Sequence, residues 1–501
     1  MDNVVTQGDS PGRDEGWTPR LIVSLVSMML LLEVLAVSYA MVSMAIPSIS
    51  AHFRTAQGAW LITAFLLVGA ITGPILGKLA DVYGKRKVLL GSVAVSVVGS
   101  LISAVAPSFG LLIFGRCLTG FLGSAVFLSY SLIRDIFPRK TVALAVSLCT
   151  SGMGLIAIAA PFLGGWLIDS YGFRSMFWFF TVALAVFCVM IMLSTPESPV
   201  RLRSRIDWLG AVLLGAGIAA VLVAISFGPT WGWVNGSTLA YLIGGVVLLA
   251  FWLVSAMKVA EPLIDLNVLR RRPVFLTAIA SSFCYGGSAL LTVVVPMVVM
   301  TPAMLHLGYG FGVDAKGFAI FQTPNSITVV LAGVITGLLI GRRNIRPRVL
   351  LASGLTILAV GFALIAVKHD SKVLLMVFMG VAGIGIGLGY SSIPNILIEA
   401  VPPQLQATTS SVVNAIQSII SSVVTLVVFT VLNNSFRAPF PPEMTHGATF
   451  YTNEGYRVAF LIGTVGALIG ALAAIGLPRR IERFAAPAGA EGDEDVPVLA
   501  H

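Results

Sequence analysis

Charge is scarce in this chain. Only 11% of its 501 residues are Asp, Glu, Lys or Arg, against 57% that are hydrophobic, a balance around which a water-soluble globule of this size could hardly fold. Cysteine is nearly missing. Its four copies, Cys117, Cys149, Cys188 and Cys284, all fall inside apolar runs and show no metal-ligand spacing. They read as small apolar fillers, which argues against both a disulfide framework and a metal site. Histidine occurs five times and never inside an apolar run. There is no phosphate-binding glycine loop and no Ser–His or zinc pattern. An ATP-driven cycle, an enzyme and a bound cofactor are therefore not expected. Regular alternation of polar and apolar residues is also absent, which disfavours a membrane β-barrel.

What the chain has in abundance is long apolar runs, each able to cross about 30 Å of hydrocarbon as a helix. Fourteen are predicted, at 20–46, 58–80, 88–106, 109–132, 141–168, 173–194, 207–227, 238–257, 273–300, 316–341, 348–367, 372–396, 405–432 and 456–476. With the N-terminus placed in the cytoplasm, the inner segments carry 23 of the 31 lysines and arginines and the outer loops 7, the last being Arg116 within a span. That asymmetry predicts both termini inside. The net charge of +9 accordingly reports topology and contact with lipids, and nucleic acid is not an expected partner. Residues 1–19 are polar and the first run is too long for a signal-peptide core, so it reads as an uncleaved anchor. The small, acidic tail over 481–501 reads as disordered.

The most informative segment joins the second and third runs: Gly77-Lys78-Leu79-Ala80-Asp81-Val82-Tyr83-Gly84-Lys85-Arg86-Lys87-Val88. Glycine lets such a turn fold tightly against a neighbouring helix, and the basic triplet anchors it on the cytoplasmic face. Asp81 can either pair with those cations or cap a nearby helix N-terminus. The string resembles the G-x-L-a-D-r-x-G-r-k signature of the major facilitator superfamily, with Val82 in place of a basic residue. That resemblance implies a conformational latch of Gly77, Asp81, Gly84, Lys85 and Arg86 between two helical bundles.

Two further strings are similar to that family. In the fourth run Arg116, Gly120 and Gly123 fit R-x-x-q-G-x-g, with Thr119 at the glutamine. The resemblance implies a part in proton transfer for Arg116. In the fifth, Gly154, Pro161, Gly164 and Gly165 fit the antiporter signature G-x-x-x-G-P-x-x-G-G, with Ala160 before the proline. Proline bends the helix there and the glycines let partners pack against the bend. The first run departs from the pattern L-D-x-T-x-x-N-x-A-x-P: counting back from Ala45 and Pro47 puts Ser38 at the aspartate, Ala40 at the threonine and Ser43 at the asparagine. The carboxylate present is Glu33, about 7.5 Å nearer the cytoplasm.

Glu33 and Arg116 are the ionisable residues deep in the apolar runs, where each costs about 2.5–3.5 kcal/mol on insertion scales. Two readings stand: a proton-coupling site, in which desolvation raises the carboxyl pKa and a nearby cation lowers it, or a structural role as a Glu33–Arg116 ion pair or as side chains snorkelling to the interface. Ser38, Tyr39, Thr119, Asn325, Asn395, Asn414 and Gln417 are candidate polar groups of a substrate cavity. A degenerate repeat relates Gly77–Ser92 to Gly337–Gly354, each ending in a basic loop and an apolar Val-Leu-Leu.

These features predict an all-α integral membrane protein of the major facilitator fold with fourteen transmembrane helices. The expected layout is a cytoplasmic tail (1–19), a six-helix bundle (20–200), two linker helices with an amphipathic cytoplasmic stretch (201–272), a second six-helix bundle (273–480) and a C-terminal cytoplasmic tail (481–501). The extra pair resembles the fourteen-span drug:proton antiporters. That implies a monomeric secondary exporter in the bacterial cytoplasmic membrane, moving small amphipathic drugs or toxic compounds in exchange for protons. A dedicated exporter of an endogenous lipid, siderophore or amino acid fits the same motifs, and a non-transporting membrane sensor would keep the same fold.

Overall fold

A computed structural model describes residues 17–478, apart from 56, 57, 59, 153–162, 169, 203, 204, 260, 314, 344 and 437–449. Apolar side chains without a water-facing face can satisfy their backbone in lipid only as helices, and helices dominate. The first half holds α1 (Pro19–Phe53), α2 (Trp60–Tyr83), α3 (Lys85–Val105), α4 (Phe109–Thr119), α5 (Ala125–Ile136), α6 (Arg139–Ser151) and α7 (Arg174–Ser194). A 3-10 turn, Gly120–Ser124, joins α4 to α5 within a single span. Then come α8 (Trp208–Trp231), α9 (Gly236–Lys258) and the short α10 (Leu266–Leu269). The second half holds α11 (Arg272–Met300), α12 (Ala315–Arg343), α13 (Pro347–Val367), α14 (Lys372–Ala400), α15 (Gln406–Ser435) and α16 (Asn453–Ile475).

Thirteen helices among the described residues are long and apolar enough to cross a membrane. The expected fifth span straddles residues 153–162, outside the described set; its first part is α6. Helix starts follow ordinary capping rules. Asp207 accepts from the Gly210 amide at 2.8 Å and Asn235 from that of Ser237 at 3.0 Å, each satisfying an amide with no partner inside its helix.

Two separate apolar cores form. One is built from α1–α7, joined by Ala407 and Ile398 from the second half, and the other from α10–α16 and the segments beside them. α8 and α9 pack together, and α8 lies along α2 and α15, sharing a third small core with Leu67, Ala70, Val412 and Ala415. The stretch after α9, expected to lie on the membrane surface, buries Leu263, Ile264 and Val268 against the protein. The halves meet along α2–α15, α5–α15, α6–α12 and α6–α14.

Candidate functional site

The turn at residues 77–88 sits at the end of the molecule that carries the basic loops. Its partner is the start of α15, where Thr408, Thr409, Ser410 and Ser411 follow Ala407 and residues 401–407 hold no acid. The local cap position, Leu405, offers no side-chain acceptor, so the first amides of α15 lack one. Asp81 supplies it from the other half. Its Oδ1 accepts from the Ala407 amide at 3.2 Å, and its Oδ2 accepts from the Thr408 amide at 2.8 Å and from Thr408 Oγ1 at 2.7 Å. The carboxylate is buried, where charge-assisted hydrogen bonds are strong and favoured by the helix dipole. Of the two roles open to Asp81, capping is the principal one, with Lys85 Nζ 4.0 Å away.

Lys85 extends the seam. Its ammonium, fully buried, donates to Asp135 Oδ2 at 2.5 Å and to the Pro403 carbonyl at 3.0 Å. Arg134 donates to Gln406 Oε1 at 2.5 Å, again across the halves. Gly77 sets how closely α2 and α15 approach: a Cβ there would lie 2.8 Å from Ser411 Oγ, 2.9 Å from the Ala407 carbonyl and 3.0 Å from Thr408 Cα. Gly84 turns the chain at φ 120°, which other residues rarely adopt. Arg86, expected in the latch, stays within its own half. Its backbone amide and that of Lys87 donate to Glu197 at 2.9 and 3.1 Å, and its guanidinium donates to the Met192 carbonyl.

Deeper in the first half, Arg116 is fully buried. It donates through Nε to the Leu61 carbonyl and through Nη1 to Ser38 Oγ, both at 3.1 Å, and lies over the Phe65 ring at 4.6 Å. Five residues separate Glu33 from Ser38, which at 3.6 residues per turn puts them about 140° apart around α1. Glu33 is buried on the side of the Cys149 thiol of α6. The structure therefore brings Arg116 to Ser38, and the expected approach of Arg116 to Glu33 is not among the guanidinium's contacts.

The remaining candidates scatter. Thr119 Oγ1 is satisfied by the Gly115 carbonyl of its own helix at 2.8 Å. Tyr39 is exposed on α1. Asn395 donates to the Ser391 carbonyl at 2.7 Å and to Ser147 Oγ of α6 at 3.4 Å, another link between the halves. Asn325 is buried in α12. Asn414 lines two cavities, one of about 20 Å³ shared with Gln417, Tyr130 and Tyr285, the other of about 140 Å³ between α2, the 3-10 turn, α8 and α15. Gly154 and Pro161 lie outside the described residues. Gly164 packs on Met41, and Gly165 faces open space.

Sequence reasoning missed Glu197 as the cap of α3, and Thr408 and Gln406 as seam partners. The run of hydroxyls opening α15 without a local acid was the available signal, because helix amides left without a cap must find an acceptor elsewhere.

A helical membrane protein of two halves, tied at one end by buried polar contacts, is what the geometry defines. The Major Facilitator Superfamily profile matches residues 28–425, and the chain belongs to that family. It is 29% identical over 365 residues to an uncharacterized MFS-type transporter of Mycobacterium tuberculosis, covering 71% of this chain and 51% of that protein. It thus spans only about half the length of that relative. It is 27% identical to Multidrug resistance protein 3 of Bacillus subtilis, covering 70% of this chain and 68% of that one. It is 26% identical to the uridine/deoxyuridine transporter of Lactococcus lactis, covering 76% and 79%. The crystal structure of the human organic anion transporter MFSD10 superposes with a TM-score of 0.62 at 15% identity, covering 91% of this chain and all of that one. At that identity the likeness speaks for the fold alone.

Proposed function

We propose that this protein is a secondary active exporter, not an enzyme, that exchanges protons for small amphipathic compounds by alternating access. The observation that carries the reading is the Asp81 cap on α15. A carboxylate of one half holds the helix start of the other through three hydrogen bonds, a contact that can be broken and remade as the halves rock about a midplane site. By the distribution of lysine and arginine the tied end is cytoplasmic, so the seam closes the inner side and leaves the site facing outward. The two six-helix halves are the moving bodies. α8, lying along α2 and α15 with α9 packed on it, covers the seam between them.

Proton coupling runs through Glu33 in this reading. It is a buried carboxyl in the first half, and a group in that setting can take up and release a proton as its surroundings alternate between apolar and wet. The name of the Bacillus relative favours export of drugs, and that of the Lactococcus relative favours a second reading, a transporter dedicated to one metabolite. The bacterial cytoplasmic membrane is the proposed location, with lipid around a monomer and both termini inside. The test is purified protein in proteoliposomes under an imposed pH gradient, offered a set of fluorescent amphipaths and of labelled nucleosides. Accumulation of several amphipaths supports the drug reading, accumulation of one metabolite the second, and no gradient-driven accumulation of anything offered refutes the exchanger.

A further inference from the structure

We propose that Arg116, with Ser38, binds the carboxylate of an amphipathic organic anion, whose apolar body packs beside Phe65. This deepens the exporter reading above and names its substrate class.

The first observation is the state of the guanidinium. Arg116 is fully buried, yet its hydrogen bonds go to uncharged acceptors only, the Leu61 carbonyl and Ser38 Oγ. Its Nη2 has no hydrogen-bond partner. A buried cation is ordinarily matched by a carboxylate, because an unmatched one is costly in a medium of low dielectric. Position 38, which faces the guanidinium, carries a hydroxyl. Glu33 is about 7.5 Å along α1 and about 140° around it, so its charge is not delivered to Nη1 or Nη2. The planar fork of arginine fits a carboxylate through two parallel N–H donors. Here one donor is unused, and its neighbour is held only by a hydroxyl that can rotate away. The fork is therefore largely ready for an anion that the protein does not itself supply.

The second observation concerns the adjoining space. Phe65, whose ring carries the guanidinium, also lines the cavity of about 140 Å³ between the halves. Its other walls include Thr63, Gly69, Leu222, Ser411 and Asn414, and none of its lining residues is charged. A cavity of roughly this size holds one aromatic ring. Arg116 and Ser38 do not themselves line this cavity, and Phe65 is the residue that joins the guanidinium to it. An uncharged pocket for a ring, joined through Phe65 to a cation lacking a counter-ion, selects an aromatic or short-chain carboxylate over the corresponding amine. The cavity is bounded by α2 and the 3-10 turn on one side and α15 on the other, so it changes shape when the seam opens. Rocking would thereby couple to binding.

The test uses two probes matched in ring and opposite in charge, benzoate and benzylammonium, with the full-length protein purified in detergent. Binding is read as the rise in unfolding temperature with probe concentration, at constant chloride, with chloride titrated separately in the absence of probe. Benzoate is expected to stabilise the wild type in a saturable manner and the amine is not. Ser38→Asp places a carboxylate against the guanidinium and should weaken benzoate at least about tenfold, the scale of a charge-assisted pair. Ser38→Asn, polar but neutral, should weaken benzoate less than Ser38→Asp does, which separates added charge from changed shape. Stabilisation by the amine and not by benzoate overturns the proposal, as does a Ser38→Asp variant that binds benzoate normally. Protection by chloride alone that equals the protection by benzoate overturns it too. Because binding is measured at equilibrium without a gradient, its failure is distinct from failure of gradient-driven export in vesicles.

Discussion

Replacing Asp81 by Asn removes the charge from the seam while keeping its size. The carboxylate accepts three hydrogen bonds, from the Ala407 amide, the Thr408 amide and Thr408 Oγ1, at 3.2, 2.8 and 2.7 Å. An asparagine side chain presents one acceptor and one donor, so at least one of those N–H or O–H groups would face an NH₂. Bonds to a charged acceptor are each worth about 1.5–3 kcal/mol, and the variant keeps part of that. A loss of about 2–4 kcal/mol from the closed seam follows, which shifts the closed-to-open equilibrium by about 30- to 1000-fold. The assay is labelling of a cysteine placed at Ser410, buried behind the seam, by a membrane-impermeant maleimide applied from the basic side, in a background lacking the four native cysteines. Labelling should be at least about tenfold faster in Asp81→Asn at equal expression. An unchanged rate would refute the idea that this carboxylate holds the halves together.

Gly77→Ala should favour the open seam by steric means, since its Cβ would meet α15 backbone atoms at 2.9 and 3.0 Å; the same labelling assay reads it. Glu197→Gln weakens the cap of α3, where Glu197 accepts from the Arg86 and Lys87 amides through its two oxygens and Gln would offer only one. It should cost about 0.5–2 kcal/mol of stability, seen as a lower unfolding temperature, while Ser410 labelling stays at the wild-type rate because the contact lies within one half. Reporter fusions at both termini and at residues 195–206 should all report the cytoplasmic side; termini on opposite faces would contradict the span assignment.

The turn at 77–88 was legible because its information is local: glycines, one acid and a basic triplet within twelve residues. The donors it serves were not, since Ala407 lies 326 residues away, and only folding joins them. Arg86 shows the converse. It sits in the string that implies the latch, yet its hydrogen bonds go to Glu197 and the Met192 carbonyl, both in the first half. Glu33 and Arg116 stood out as rare charges in apolar runs, and both are buried. Their relative placement depended on helical phase, and a shift of five residues around α1 sends them to different neighbours. Thr119 reads as a polar group available to substrate, but a threonine in a helix can bond its own preceding turn, and here it does. The cavity at α2, α8 and α15 needed three distant segments to be seen together.

Uphill exchange driven by protons is the central claim, and Glu33→Gln in proteoliposomes tests it most directly. Gln keeps the volume of the side chain and cannot release a proton. With a proton gradient imposed, substrate accumulation and substrate-induced proton release are recorded together for the wild type and the variant. The account predicts that both signals are present in the wild type and that both vanish in Glu33→Gln, while downhill exchange of substrate for substrate persists. A Glu33→Gln protein that still concentrates substrate against its gradient would contradict it.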